Sequence, residues 1–458
     1  MPDAALLWAP QAWTPGGWRE HVVLRAGDDG RWREVTPGVA TPPPGALVLS
    51  GPLLPGLANA HSHAFQRAFA GRAERREGKS DDFWSWRDRM YRVALRISPA
   101  QLRDVAAQLY VELLKGGYTE VCEFHYLQHG LDGRPYDDPL EMSWALADAA
   151  AETGIGLTIL PVLYERAGFA KPLRDDQRRF RTSAEQVWQA AASIADARPP
   201  RLGAGLAIHS LRAASAESIS ALVRKAEGFA GPIHIHVAEQ TAEVDDCLAA
   251  TGARPIGWLA RERLLDPRWQ LVHATHTVPE EIDAVRQSGA GVVLCPSTEA
   301  NLGDGLADVP GWLAAGVPLT IGSDSHVGRE WREELRWLEY GQRLVRRQRN
   351  VAAAPEVGQA ASAEHLFGRV LAGSAAASGA SSWGLVPGAW ADALVVDMHE
   401  DALLGVPSSH ALDALVFSSP SRSWRDVMVA GRWAVRDGVH PRAAAIADRF
   451  AATMHALG

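Results

Sequence analysis

Residues Gly56–Gly71 read GLANAHSHAFQRAFAG, an apolar run that ends on two histidines, His61 and His63, flanking one serine. Alternate residues of a strand point the same way, about 6–7 Å apart, so both imidazoles can aim at one point. Imidazole nitrogens suit borderline cations such as Zn²⁺ and Fe²⁺. A lone pair of this spacing is weak, because most such histidines sit in cores or on surfaces. Two residues far along the chain add weight: His236, in HIHVAE, can bring a third nitrogen, and Asp324, in IGSDSH, a carboxylate. Singly, His236 reads as a hydrogen-bonded core histidine and Asp324 as a turn residue after Gly322. Together they form a donor set that leaves a position for water, as a hydrolytic metal centre requires.

A scaffold must bring these four residues together. Eight apolar strand-like runs cross the middle of the chain: LLPGLANAHSH, GYTEVCEFHY, GIGLTILPVLY, RLGAGLAIHS, GPIHIHVAE, RWQLVHATH, GAGVVLCPST and VPLTIGSDSH. Helix-period segments separate them, among them QLRDVAAQLYVELLK and SAESISALVRKAEGF, the latter with Ser215 as its N-cap. Strands alternating with helices predict a parallel sheet, and eight units predict an α/β fold of the (β/α)8 TIM-barrel type over residues 53–375. Residues 1–52 and 376–458 hold short strand-like pieces, and the two ends are expected to share one small β-sandwich domain with a closing C-terminal helix. Ligand-type residues cluster where the eight runs end: His61 and His63, His125 and Tyr126, His209, His236 and Glu239, His273, and Asp324. That is the end of a TIM barrel that carries the active site.

Composition narrows the function classes. Of 458 residues 47% are hydrophobic and 22% charged, as in an ordinary globular enzyme. The formal net charge of −8 argues against a nucleic-acid binder. Three cysteines without a CxxC make a disulfide framework unexpected, and neither a signal peptide nor a membrane-length apolar run is legible. A cytoplasmic protein without membrane or nucleic-acid partners is expected.

HxH after the first run, His on the fifth, His on the sixth and Asp after the eighth resemble the amidohydrolase superfamily. The resemblance spans nearly the whole chain, including the split β domain. It implies one divalent metal per chain, zinc first and iron as the alternative, held by His61, His63, His236 and Asp324. The fourth run ends AIHS, without the lysine that a carbamylated two-metal centre needs, so the mononuclear subtype is expected. HVAE, with Glu239 three residues past His236, resembles the deaminase branch, in which that glutamate moves protons to and from the departing nitrogen. Asp324 would then accept a proton from water, and His273 would hold the developing tetrahedral species.

The substrate is read from the polar residues near the mouth. Arg212 in HSLRA, with an arginine from DDFWSWRDRMYR (residues 81–92), read as a loop rich in aromatics and arginine, offers planar forks that suit two carboxylates. These arginines read otherwise as surface ion-pair partners. NAHSHAFQRAFAG, DDFWSWRDRMY, HSLRA, HIHVAEQTAEVDDC, LVHATH, PSTEANLGDG and GSDSH resemble the superfamily members that release ammonia from N-formimino-L-glutamate. That resemblance implies a small dicarboxylate substrate, contacts from Gln66, Arg87, Tyr126, His209 and Arg212, catalysis by Glu239, His273 and Asp324, and a homodimer. Arg87 competes with Arg89 and Arg92 for its role. The loop Cys295–Gly305 either shapes the pocket or merely turns the chain. Three rivals stand: a nucleobase or nucleoside deaminase, in which Trp84 and Trp86 would stack on a heterocycle; hydrolysis of a small halogenated ring or a hydantoin-like amide, which would leave the cationic pocket unneeded; and an inactive barrel that only binds a ligand.

Overall fold

The computed structural model describes residues 6–76, 83–197, 199, 201–421 and 423–458; Asp81 and Asp82, in the aromatic-rich stretch named above, lie outside them. In chain order the strands are β1 (Leu6–Thr14), β2 (Gly17–Ala26), β3 (Trp32–Thr36), β4 (Leu47–Val48), β5 (Leu53–Leu54), β6 (Leu57–Ser62), β7 (Tyr118–His125), β8 (Gly156–Leu163), β9 (Arg166–Gly168), β10 (Lys171–Pro172), β11 (Leu202–Ala204), β12 (Leu206–Ile208), β13 (Ile233–Val237), β14 (Trp269–His273), β15 (Gly291–Leu294), β16 (Leu319–Ile321), β17 (Ala393–Val396), β18 (Trp424–Val429) and β19 (Arg432–Val435).

The eight apolar runs become β6, β7, β8, β12, β13, β14, β15 and β16, which pair in parallel in that order. These strands are buried along their whole length, which is why the runs are apolar throughout rather than alternating. The barrel closes between its last and first strands. Asp324 N–H donates to His61 O at 2.9 Å, and His63 N–H to Asp324 O at 3.3 Å. Gly322 permits this seam: a Cβ there would lie 2.6 Å from His61 Cβ and 2.8 Å from the His61 backbone. Closing the barrel thus also sets the HxH pair beside Asp324.

Strands from both chain ends form one continuous sheet in the order β19-β18-β17-β5-β1-β2-β3, with β4 on β1. Its inward residues, among them Leu7, Val22, Leu24, Trp32, Ala393, Val395 and Met428, share a core separate from that of the barrel. The C-terminal helix Ala443–Leu457 packs instead on the barrel helix Pro99–Lys115. Cys122, Cys247 and Cys295 are free and buried. Among the described residues, no helix is long and apolar enough to cross a membrane.

Two stretches read as loops are helical. Residues Phe83–Ala94 form a helix that carries no glycine or proline and buries Met90, Tyr91 and Ala94 on one face. Pro296–Leu302, inside the Cys295–Gly305 segment, is a short helix with proline in its first turn, where the missing N–H costs nothing.

Candidate active site

Five non-glycine residues at the barrel mouth hold positive φ: Ala238 (53°) after β13, His273 (70°) and Ala274 (46°) at the end of β14, and Asp324 (47°) and His326 (64°) after β16. Each such conformation costs on the order of 1–3 kcal/mol, and such residues concentrate at functional sites. Here the turns end the strands abruptly and direct Glu239, His273 and Asp324 towards the barrel axis.

His61, His63 and His236 each present one ring nitrogen, all within 4.8 Å of one another. The Nε2 atoms of His61 and His236 are 3.0 Å apart. Asp324 Oδ1 lies 3.4 Å from His61 Nε2 and 3.3 Å from His63 Nε2. Burial pushes His61 down to about 3 and lowers His63 and His236, so all three rings are neutral near pH 7. His63 Nδ1–H donates to Phe124 O at 2.9 Å, which fixes the tautomer and leaves Nε2 with a free lone pair. Converging lone pairs on neutral buried rings, beside an ionised carboxylate, are what a divalent cation needs. The donor set fits such an ion.

A hydrogen-bond network supports this set from behind. Ser62, between the two histidines, donates to Glu123 Oε1 at 2.5 Å, and Ala64 N–H donates to Glu123 Oε2 at 3.0 Å. His326 Nε2 lies 3.3 Å from Ser62 Oγ, and its Nδ1 lies 3.0 Å from Ser323 Oγ. Strand β6 and the Asp324 turn are thereby tied through side chains as well as backbone.

His273 lies beside the donor set, with Nε2 at 3.8 Å from Glu239 Oε1 and 4.0 Å from Asp324 Oδ2. Its Nδ1 lies 3.4 Å from Glu299 Oε1, whose carboxylate also accepts the Cys295 N–H at 2.9 Å. Burial disfavours charge on His273, but Glu239, Glu299 and Asp324 outweigh it and push its pKa up to about 10. Burial pushes Glu239 up to about 7 against the pull of His273. A carboxyl poised near neutrality can both give and take a proton.

The same cavity is lined by Gln66, Tyr126, His209, Arg87 and Arg212. Gln66 donates to the Tyr126 hydroxyl at 3.1 Å. His209 is kept neutral by burial and by nearby Arg212. Of the three arginines on helix Phe83–Ala94, Arg87 lines the cavity; Arg92 is exposed, and Arg89 donates to Ala73 O. Arg212 is buried, and among the described residues the Nε–H groups of both Arg87 and Arg212 lack an acceptor. Among the described residues Arg212 has no carboxylate partner, whereas Arg87 has Asp88 at 3.7 Å. Trp84 lies under both guanidiniums, at 4.6 Å from Arg87 and 5.8 Å from Arg212. Trp86 faces the cavity, but His125 is not among the residues lining it.

Several residues of the site escape a reading of the sequence. Glu299 looks like an ordinary helix carboxylate, and only folding places it behind His273. Tyr91, Tyr164 and Phe180 also line the cavity, yet in sequence they read as core aromatics. Spacing carried no signal for them.

A (β/α)8 barrel with HxH, two further histidines and an aspartate at its mouth defines a class. The chain belongs to the amidohydrolase family, which it matches over residues 53–434 and whose members are metal-dependent. It is 46% identical, over 95% of both chains, to formimidoylglutamate deiminase of Pseudomonas aeruginosa. It is 28% identical to 5-methylthioadenosine/S-adenosylhomocysteine deaminase of Natronomonas pharaonis, covering 84% of this chain and 81% of that one. Among solved structures, an amidohydrolase from Brucella melitensis superposes with a TM-score of 0.92 at 39% identity, covering 99% of each chain.

Proposed function

We propose that this protein is a formimidoylglutamate deiminase, hydrolysing N-formimino-L-glutamate to N-formyl-L-glutamate and ammonia. The observation that carries the substrate is the pair of guanidiniums whose Nε–H groups meet no acceptor among the described residues, and which share one cavity with the histidine cluster. Arg212 is a buried cation with no carboxylate partner among the described residues, which is costly, and an anionic ligand supplies the partner. A substrate with two carboxylates uses this wall, and its formimino carbon is then directed towards Glu239 and Asp324. The 46% identity to the Pseudomonas aeruginosa enzyme supports the same reading.

His61, His63, His236 and Asp324 would hold the metal, with zinc favoured over iron by three imidazoles and one carboxylate. Once bound, a divalent ion acidifies water and polarises the group under attack. Asp324 takes one proton from the attacking water, while Glu239 gives its own proton to the imino nitrogen. As the C–N bond breaks, Asp324 passes its proton to the departing nitrogen and Glu239 takes back the proton left on the new hydroxyl, so both protons of the water end on the ammonia. His273, cationic at neutral pH, faces both carboxylates and steadies the negative charge that builds as the carbon becomes tetrahedral. Gln66, Tyr126 and His209 line the space between the two ends and orient the substrate. On this reading the enzyme serves histidine degradation as a cytoplasmic homodimer.

A heterocycle deaminase is the second reading, because the Trp86 ring faces the cavity. The test is ammonia release by metal-loaded protein from N-formimino-L-glutamate, with guanine and an adenosine derivative in parallel. Release from the first alone is expected. Release only from a heterocycle would keep the metal centre and overturn the account of the arginines.

A further inference from the structure

Tyr91 and Tyr164 line the cavity with the two arginines, and behind them lies Gln177, fully buried. The Gln177 side chain can face only one way. Its Oε1 accepts the Arg174 N–H at 3.0 Å, so its amide nitrogen is turned to the phenols. That nitrogen donates to Tyr164 Oη at 2.8 Å and to Tyr91 Oη at 3.4 Å. Both phenol oxygens are thus acceptors towards Gln177, and each keeps its own hydrogen to give. The two oxygens are 3.5 Å apart, so one hydroxyl can donate to the other. Only one of the two hydrogens can use that contact. Neither hydroxyl has another acceptor among the described residues. Burial holds the Tyr164 hydroxyl well above the usual phenol range, so it keeps its proton.

One O–H donor is therefore left over, on the cavity wall that also carries Arg87 and Arg212. Resting on the function proposed above, we infer that Tyr91 and Tyr164, with their oxygens fixed by Gln177, donate a hydrogen bond to a substrate carboxylate and set specificity for it. The guanidiniums supply charge, and the phenol pair supplies a donor of fixed direction. A carboxylate accepts only, so it satisfies this wall completely. A carboxamide turned the wrong way would place N–H against O–H.

The test is steady-state kinetics of wild type and of Tyr91→Phe, Tyr164→Phe and the double variant, each metal-loaded. The substrates are N-formimino-L-glutamate and its two mono-amides, with one carboxylate or the other replaced. The double variant should raise KM for the dicarboxylate roughly 10- to 100-fold, as for a lost hydrogen bond to a charged group. Its kcat should stay within about 3-fold, because the reacting end is untouched. The penalty should vanish for one of the two mono-amides and persist for the other. An unchanged KM, or an equal penalty on all three substrates, overturns the inference, because a merely structural role does not distinguish them. If the double variant does not fold, the single variants give the same reading at smaller amplitude. If wild type releases no ammonia from any of the three, the proposed function fails. Calorimetric binding of glutarate then decides the tyrosines: weaker binding on double substitution supports them, and equal binding overturns them.

Discussion

At one end of the cavity His61, His63, His236 and Asp324 stand on or directly after barrel strands, with β6 and the Asp324 turn bonded to each other through the backbone. At the other end Arg87 stands on the helix Phe83–Ala94 and Arg212 in the turn beyond β12, outside the barrel's hydrogen-bond ladder. The first end is built from neutral rings drawn together, the second from cations with donors to spare. The comparison teaches a division of labour. On the proposed function, the end that would run the chemistry is fixed by the fold itself, while the end that would choose the substrate sits on elements that can vary without disturbing it. Substitutions at the first end should therefore strike kcat and metal content, and those at the second KM.

Asp324→Ala is the harshest break. On the proposed mechanism it removes a donor to the metal and the acceptor for the water's proton together. Activity should fall by at least about 10⁴-fold, since a general base alone is worth up to that much. Metal per chain, measured by atomic emission, should fall well below that of wild type. Full activity with metal retained would show that the carboxylate end of the site is misassigned.

Glu239→Gln separates binding from proton transfer within the same end. The amide matches the carboxyl in size, and Glu239 is not in the donor set. Metal content should hold, while kcat drops by roughly 10²- to 10⁴-fold. If metal and kcat are lost together, Glu239 belongs to the ligand cage rather than to the proton path.

Arg212→Met moves to the second end. The thioether keeps much of the packing against Trp84 but removes the charge. KM for N-formimino-L-glutamate should rise about 10- to 100-fold with kcat little changed and metal intact. A fall in kcat with KM unchanged would contradict the division between the two ends.

The two ends also differ in how far the sequence shows them. His61 and His63 are legible because strand alternation is local and an apolar run marks its own end. His236, His273 and Asp324 are legible for the same reason, each closing one of eight similar runs. The eight runs also make the barrel legible, and the strand-like pieces at both ends make the small β domain legible as one unit. The substrate end is harder. Arg212 can be suspected from its place just past a strand, but Arg87 shares its helix with Arg89 and Arg92, and only the helix phase decides which faces the cavity. Tyr91, Tyr164 and Gln177 carry no sequence mark, because a phenol that lines a cavity and one that fills a core share the same neighbours in sequence. The helix at Phe83–Ala94 reads as a loop because its aromatics and charges obscure a short apolar face. Pro296–Leu302 is hidden by the glycine and asparagine around it.

Glu299 gives the mildest test of the strand-built end, and the most specific. Its carboxylate meets His273 Nδ1 and the Cys295 N–H, so it orients the ring and directs Nε2 to Glu239 and Asp324 without lining the cavity itself. Glu299→Ala removes the acceptor and should cost about 10- to 100-fold in kcat, the usual scale for a group that orients a working histidine from behind. Glu299→Gln keeps an oxygen for the ring N–H and should recover most of that loss. Both variants should keep the metal and leave KM near wild type, because neither the donor cage nor the arginine wall is touched. If glutamine fails as badly as alanine, the negative charge on Glu299, rather than the hold on the ring, is what His273 needs. Matching thermal melts of the two variants would remove packing as the explanation, and the contrast between ends would then sharpen to one of charge against geometry within the strand-built end alone.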